Sequence, residues 1–131
     1  MKIKEILKNV KTISPDDTVK DAAVLMTRHN IGSLVALNDK RRVVGILTER
    51  DIIEKVNAKD RLSSRVRVSE IMTSKVITID ANSLLDDAVY LMVKHKIKKL
   101  PVIENEQLVG IITSTDIMAN SSDVGQYYLL D

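Results

Sequence analysis

Apolar and polar positions along this chain change their spacing in a fixed order, and the order runs twice. A short apolar stretch at Thr12-Ile13 ends in a turn cluster, Ser14-Pro15-Asp16-Asp17. Val19, Ala22, Ala23 and Met26 then fall on one helical face, behind a capping box running from Thr18 to Asp21. Two apolar runs follow, Leu34–Leu37 and Val43–Leu47, separated by the polar turn Asn38–Arg42, which is the pattern of a hairpin. Thr48-x-x-Asp51 resembles a second capping box and opens a second helix. The later half repeats each step. A capping box at Ser83–Asp86 leads into the stripe Leu85, Ala88, Val89 and Met92, and the runs Leu100–Ile103 and Leu108–Ile112 flank the turn Glu104–Gln107 before Thr113-x-x-Asp116. Each half therefore reads strand, helix, strand, strand, helix. Pro101, near the start of its strand, predicts an edge position or a strand opening toward a cleft.

The repetition extends to residue identity. Val43-Val44-Gly45-Ile46-Leu47-Thr48 recurs as Leu108-Val109-Gly110-Ile111-Ile112-Thr113, and Asp21-Ala22, Leu25-Met26 and His29 recur as Asp87-Ala88, Leu91-Met92 and His95. The lead-in Ile3–Leu7 corresponds to Val68–Met72. A unit of this length cannot bury its apolar face alone, whereas two copies facing each other can, leaving a crevice between them. The matched stripes predict that Val19, Ala22, Met26, Leu34, Ile46, Ala88, Met92, Val102 and Ile111 are buried in one continuous core shared by both halves. The chain divides into a first repeat over 2–58, a polar connector over 59–67, a second repeat over 68–120 and a tail over 121–131. That tail carries Tyr127-Tyr128-Leu129-Leu130, read as mobile or as docking on a neighbouring subunit.

Composition narrows the function. With 131 residues, 44% apolar and 29% charged, the chain is long enough to bury a sizeable core. It contains no cysteine, which excludes disulfides, thiolate metal sites and a cysteine nucleophile. Apolar runs are too short for a membrane span and the N-terminus lacks a signal peptide's apolar stretch, so the expectation is a cytoplasmic protein with no membrane partner. A net charge of +2 and three tyrosines as the only aromatics argue against nucleic acid as a partner.

Chemistry concentrates at Gly45–Asp51 and Gly110–Asp116, where Thr and Asp stand three apart at a strand-to-helix junction. A helix start offers free N–H groups to a phosphate, and a carboxylate can accept paired hydrogen bonds from a ribose diol. The alternative is that Thr48/Asp51 and Thr113/Asp116 only cap their helices. His29 and His95 stand near helix C-termini, where an imidazole suits the dipole, and two histidines without clustered acids do not make a metal site. Met26 and Met92 read as core. No nucleophile has a paired base and no phosphate-binding loop of Walker type is present, so no catalytic residue is assigned and the chain is expected not to be an enzyme.

The lead-in Val68–Thr73, the Thr-Ile before each first turn, Ile31–Val35 with Ile97–Val102, and the Gly-h-h-Thr-x-x-Asp endings (h, hydrophobic) together resemble the CBS domain, twice over and in order. The resemblance covers about residues 2–118 and implies a stand-alone CBS pair, or Bateman module. It implies an α+β fold of two β-α-β-β-α repeats packed about a pseudo-twofold axis, with two clefts between them that bind adenine nucleotides or other adenosyl ligands in many relatives. On this resemblance the ribose acids are Asp51 and Asp116, and the phosphate-side hydroxyls are Thr48, Thr113 and Thr115, with Ser114 adjacent. Lys98 and Lys99 meet the phosphates. The matching Gly32 and Ser33 depart from that basic pattern, with Arg50 as a substitute. Thr12 and Thr78 contact base or sugar, and Ile13, Ile79, Ile31 and Ile97 form walls. The expectation is a regulatory module with no required cofactor, an adenine nucleotide (AMP, ADP or ATP) or adenosyl ligand, a homodimeric state and an unidentified regulated protein. Two other functions compete with it: a structural dimerisation module with vestigial sites, and a weak nucleic-acid binder through Lys94–Lys99.

Overall fold

The helix starts set the frame. In the computed structural model, which describes residues 1–120, Thr18 takes an extended conformation, its hydroxyl accepts from the Asp21 N–H at 3.1 Å, and the Asp21 carboxylate accepts from the Thr18 N–H at 3.1 Å. This reciprocal box satisfies two donors that a helix start leaves unpaired. The chain is mixed α+β and carries two repeats of a three-stranded sheet with helices. It divides into two compact units, Val10–Val76 and Met1–Asn9 together with the chain from Ile77. The units therefore follow the sequence repeats except in their lead-ins. Residues 1–9 join the second repeat, and the segment after the connector joins the first. The tail reading of Tyr127-Tyr128-Leu129-Leu130 lies outside the described residues.

The unit over 10–76 contains β1 (Thr12–Ile13), α1 (Val19–His29), β2 (Ser33–Leu37), β3 (Val43–Thr48), α2 (Glu49–Lys55) and the short α3 (Val68–Ile71). Its sheet has the order β1-β2-β3, with β1 parallel and β3 antiparallel to β2. Val19, Ala22 and Met26 of α1 pack with Leu34, Leu47, Val66 and Val68 in its core. Val66 and Val68 come from the connector and lead-in, held by Val19 N–H donating to Val66 O and Val68 N–H donating to Asp17 O, both at 2.8 Å.

The other unit contains a 3₁₀ turn at Ile3–Glu5, β4 (Ile79–Asp80), α4 (Leu85–His95), β5 (Lys99–Glu104), β6 (Gln107–Thr113) and α5 (Ser114–Ala119), with sheet order β4-β5-β6. Ile3, Ala88, Met92, Leu100, Val102 and Ile112 form its core. Leu100 and Ile112 are fully buried, and each such aliphatic side chain contributes about 1.5–3 kcal/mol. Of the residues expected in the core, Val19, Ala22, Met26 and Leu34 lie in the cluster of the first unit and Ala88, Met92 and Val102 in that of the second, while Ile111 is buried outside both clusters. Each sheet covers the apolar face of its own helix, and a lead-in closes the remainder. Met26 and Met92 are core, as expected.

Several local expectations change. Helix α4 is capped at Leu84, whose N–H donates to Asp87 at 2.9 Å, and not at Ser83; a leucine cannot return the side-chain half of the box. Val89 is exposed and Ile46 half-buried, because the helix stripe is narrower than the sequence suggests and Ile46 pairs with the lead-in at Thr73. The second hairpin turn contracts to Asn105-Glu106, both with positive φ as a two-residue turn demands. Pro101 lies in the central strand β5, not at an edge. In the first repeat the equivalent Val35 donates its N–H to Lys11 O at 3.2 Å. Proline has no such donor, so β4 begins one position later, pairing Ile79 with Val102, and Thr78 falls outside the strand.

Candidate ligand-binding site

Both Thr-x-x-Asp junctions are capping boxes, as the sequence allowed, and each uses only half of its carboxylate. At Thr113 the N–H and hydroxyl lie 3.0 and 2.8 Å from Asp116 Oδ2. The Asp116 N–H donates back to the hydroxyl at 3.2 Å. Asp116 is the only charged residue buried among the described residues, 3% exposed, and its Oδ1 lies 2.7 Å from Lys8 Nζ. Burial pushes this carboxyl up, but the Lys8 ammonium and the Thr113 hydroxyl and amide outweigh it, holding Asp116 below the usual carboxylate range. Lys99 is paired across the sheet with Thr113, and the Lys98 carbonyl accepts from the Ser114 N–H at 2.9 Å. Three hydroxyls (Thr113, Ser114, Thr115), one buried carboxylate and three lysine-bearing positions therefore meet at one turn. Hydroxyl and ammonium donors beside an acceptor suit an anionic sugar.

The junction over 48–51 is built alike and charged differently. Thr48 N–H and hydroxyl lie 3.0 and 3.1 Å from Asp51 Oδ2, and Lys55 Nζ lies 3.2 Å from Oδ1. Gly32 stands where the other unit has Lys98, and a side chain there would begin 3.3 Å from the Glu49 carboxyl. Glu49 itself replaces Ser114. Arg50, expected to substitute for the missing lysines, is mostly exposed and bonded to Glu54 at 2.6 Å. The turn over 48–51 thus carries two acids, Glu49 and Asp51, beside one arginine that is paired to Glu54.

The remaining site residues divide. Thr12 and Thr78 are exposed. Ile13 and Ile79, expected as walls, are 7% and 5% exposed and belong to the cores, so little of either remains for a ligand. Ile31 and Ile97 are half-buried, each fixed by a helix-ending bond from its N–H to Met26 O and Met92 O at 3.0 Å. Ile31 lines a groove of about 410 Å³ between α1 and α2 with Met26, Ile52, Ile53 and Glu49. His29 and His95 end their helices, and among the described residues no three His, Asp or Glu side chains converge to hold a metal. No helix among the described residues is long and apolar enough to cross a membrane.

Sequence reasoning missed Lys8. The lead-in pairs with β6 through reciprocal Lys8–Ile111 bonds of 2.9 Å, directly over Gly110. A Cβ on Gly110 would lie 2.6 Å from the Lys8 carbonyl oxygen. The signal available was a break in the repeat: the aligned lead-in position holds Thr73, which pairs with Ile46.

Comparison with known proteins agrees with this architecture. The CBS domain family model matches residues 3–58 and 68–123. The CBS domain-containing protein YhcV of Bacillus subtilis is 36% identical over 111 residues, which cover 85% of this chain and 78% of that protein. The crystal structure of the CBS-domain containing protein ATU1752 from Agrobacterium tumefaciens superposes with a TM-score of 0.81 at 31% identity, covering 92% of this chain and 98% of that one. The CBS domain pair of protein MJ0100, solved in complex with 5′-methylthioadenosine and S-adenosyl-L-methionine, matches with a TM-score of 0.81 at 32% identity, covering 92% and 94%.

Proposed function

The chain belongs to the CBS domain family, whose paired modules are regulatory and often bind adenosyl ligands, and from that premise we propose that it senses an adenine nucleotide or related adenosyl compound and signals occupancy to a partner protein. The observation that carries this reading is the junction at Thr113–Asp116. There a buried carboxylate stands beside three hydroxyls, with Lys98 and Lys99 leading into the paired strand. In this reading Asp116 accepts the ribose hydroxyls and Ser114, Thr115 and the two lysines receive the phosphate, while Thr113, expected on the phosphate side, spends its N–H and O–H on Asp116 and turns to a phosphate only by releasing that carboxylate. The complex of MJ0100 with adenosyl compounds supports the ligand class. The acid-rich turn over 48–51, with Thr48 and Asp51, takes an uncharged or cationic adenosyl compound in preference to a phosphorylated one.

The role is binding without catalysis. Such a module acts only by differential affinity: the ligand favours one state, which the partner distinguishes. Homodimerisation is part of the proposal, supported by solvent-exposed apolar side chains on the helices, Val24 and Ile53 in one unit and Tyr90 and Val93 in the other. A thermal-shift screen against adenosine, AMP, ADP, ATP, NAD and S-adenosylmethionine tests the reading, since a ligand at ~100 times its Kd adds about 2.7 kcal/mol to stability. Stabilisation by at least one adenosyl compound, and none by guanosine or cytidine nucleotides, is expected. No shift with any of the six contradicts it.

A further inference from the structure

We propose that Lys8 is a built-in gate on the Asp116 carboxylate, an inference that rests on the ribose-binding reading above. Asp116 has two oxygens and both are taken. Oδ2 accepts from the N–H and hydroxyl of Thr113, and Oδ1 is held at 2.7 Å by Lys8 Nζ. Oδ1 keeps a second lone pair, but with the side chain 3% exposed and the Lys8 ammonium against it, that oxygen has little room for a sugar diol. A ribose reaches Oδ1 only when the ammonium leaves.

The geometry makes that departure cheap and repeatable. The Lys8 side chain is 70% exposed, so its ammonium exchanges the carboxylate for water without entering an apolar space. Its backbone stays in place, because both Lys8–Ile111 hydrogen bonds are independent of the side chain and Gly110 keeps the two strands at close approach. Lys8 is thus a movable cation on a fixed mount. The other junction is made differently: Thr73 occupies the aligned position, and Asp51 is paired by Lys55 from its own helix at 3.2 Å while remaining 16% exposed. The gate belongs to the Asp116 junction alone among the described residues, and it sets a threshold that an adenosyl ligand must overcome there.

The test is calorimetric titration of adenosine and of AMP into the full chain and its Lys8→Met, Lys8→Arg and Asp116→Ala variants, with melting temperatures recorded alongside. Adenosine carries no phosphate, so it reports competition for the carboxylate and not attraction to charge. Lys8→Met is expected to bind adenosine about two- to fivefold more tightly than the unmodified chain, the range set by an ion pair with one exposed partner. Lys8→Arg is expected to restore the unmodified affinity. Unchanged adenosine affinity in Lys8→Met, with binding still weakened in Asp116→Ala, overturns the gate and leaves the ribose reading intact. Loss of AMP affinity in Lys8→Met with adenosine unchanged makes Lys8 a phosphate ligand, which also overturns it. Undiminished binding in a folded Asp116→Ala variant overturns both.

Discussion

Gly110→Ala places a methyl group where the lead-in strand lies. The new Cβ would stand 2.5 Å from Leu7 Cδ1 and 2.6 Å from the Lys8 carbonyl oxygen, well inside van der Waals contact. Leu7 can rotate, but the Lys8 carbonyl belongs to a backbone pair and cannot move without breaking it. The φ angle of Gly110 is not positive, so alanine meets no conformational strain and the cost is steric alone. Overpacking costs about 1–3 kcal/mol. Loss of the two 2.9 Å Lys8–Ile111 hydrogen bonds adds about 1 kcal/mol each if the strand separates. The chain will take the cheaper route, so the expected loss is about 1–3 kcal/mol, or a fall of about 3–12 °C in Tm for a chain of this size. Gly32→Ala is the control: its nearest neighbour is the Glu49 carboxyl at 3.3 Å, the mobile tip of an exposed side chain. That variant should stay within ~0.5 kcal/mol of the parent. Urea and thermal unfolding of both variants decide the matter. A Gly110→Ala protein as stable as Gly32→Ala would refute the argument that the lead-in is seated by this glycine.

The two capping threonines should cost similar stability when removed, Thr48→Ala and Thr113→Ala each losing about 1 kcal/mol in urea unfolding, since each deletes an equivalent reciprocal box. A negligible loss at either position would contradict the capping geometry. Acid unfolding probes Asp116: its carboxyl is lowered in the folded chain, so the stability it contributes is fully present above the unfolded value of ~3.9 and is lost as pH falls through the lower folded value. The stability difference between the unmodified chain and Lys8→Met should therefore be constant from pH 7 to 5 and shrink below about pH 4. A difference that grows on acidification would contradict the ion pair.

Much of this fold was legible because the sequence states it twice. Strands placed at Leu34–Leu37 and Leu108–Ile112 extend only to Ser33 and to Gln107–Thr113, and both Thr-x-x-Asp boxes form where spacing put them. What stayed hidden depends on contacts remote in sequence. The lead-in at Ile3–Glu5 bonds to Ala81 and Ser83, an attachment that no local pattern encodes. A missing N–H marks an edge position or a strand opening toward a cleft, and of these the edge fails for Pro101, which shortens β4 and stands in the central strand. Asp116 was recognisable as a candidate acid, but its ion pair with Lys8 arises from strand pairing across more than a hundred residues of chain. Ile13 and Ile79 alternate correctly for strands, yet period alone does not say which face meets the core.

The most direct test of the ribose assignment is the affinity of a folded Asp116→Ala variant for the adenosyl compound that stabilises the unmodified chain best, measured by calorimetric titration well below both melting temperatures. Removing hydrogen bonds to a charged acceptor costs about 1.5–3 kcal/mol, so Kd should rise roughly 10- to 150-fold. Unchanged affinity in the folded variant would contradict the account, leaving Asp116 as a helix cap and nothing more.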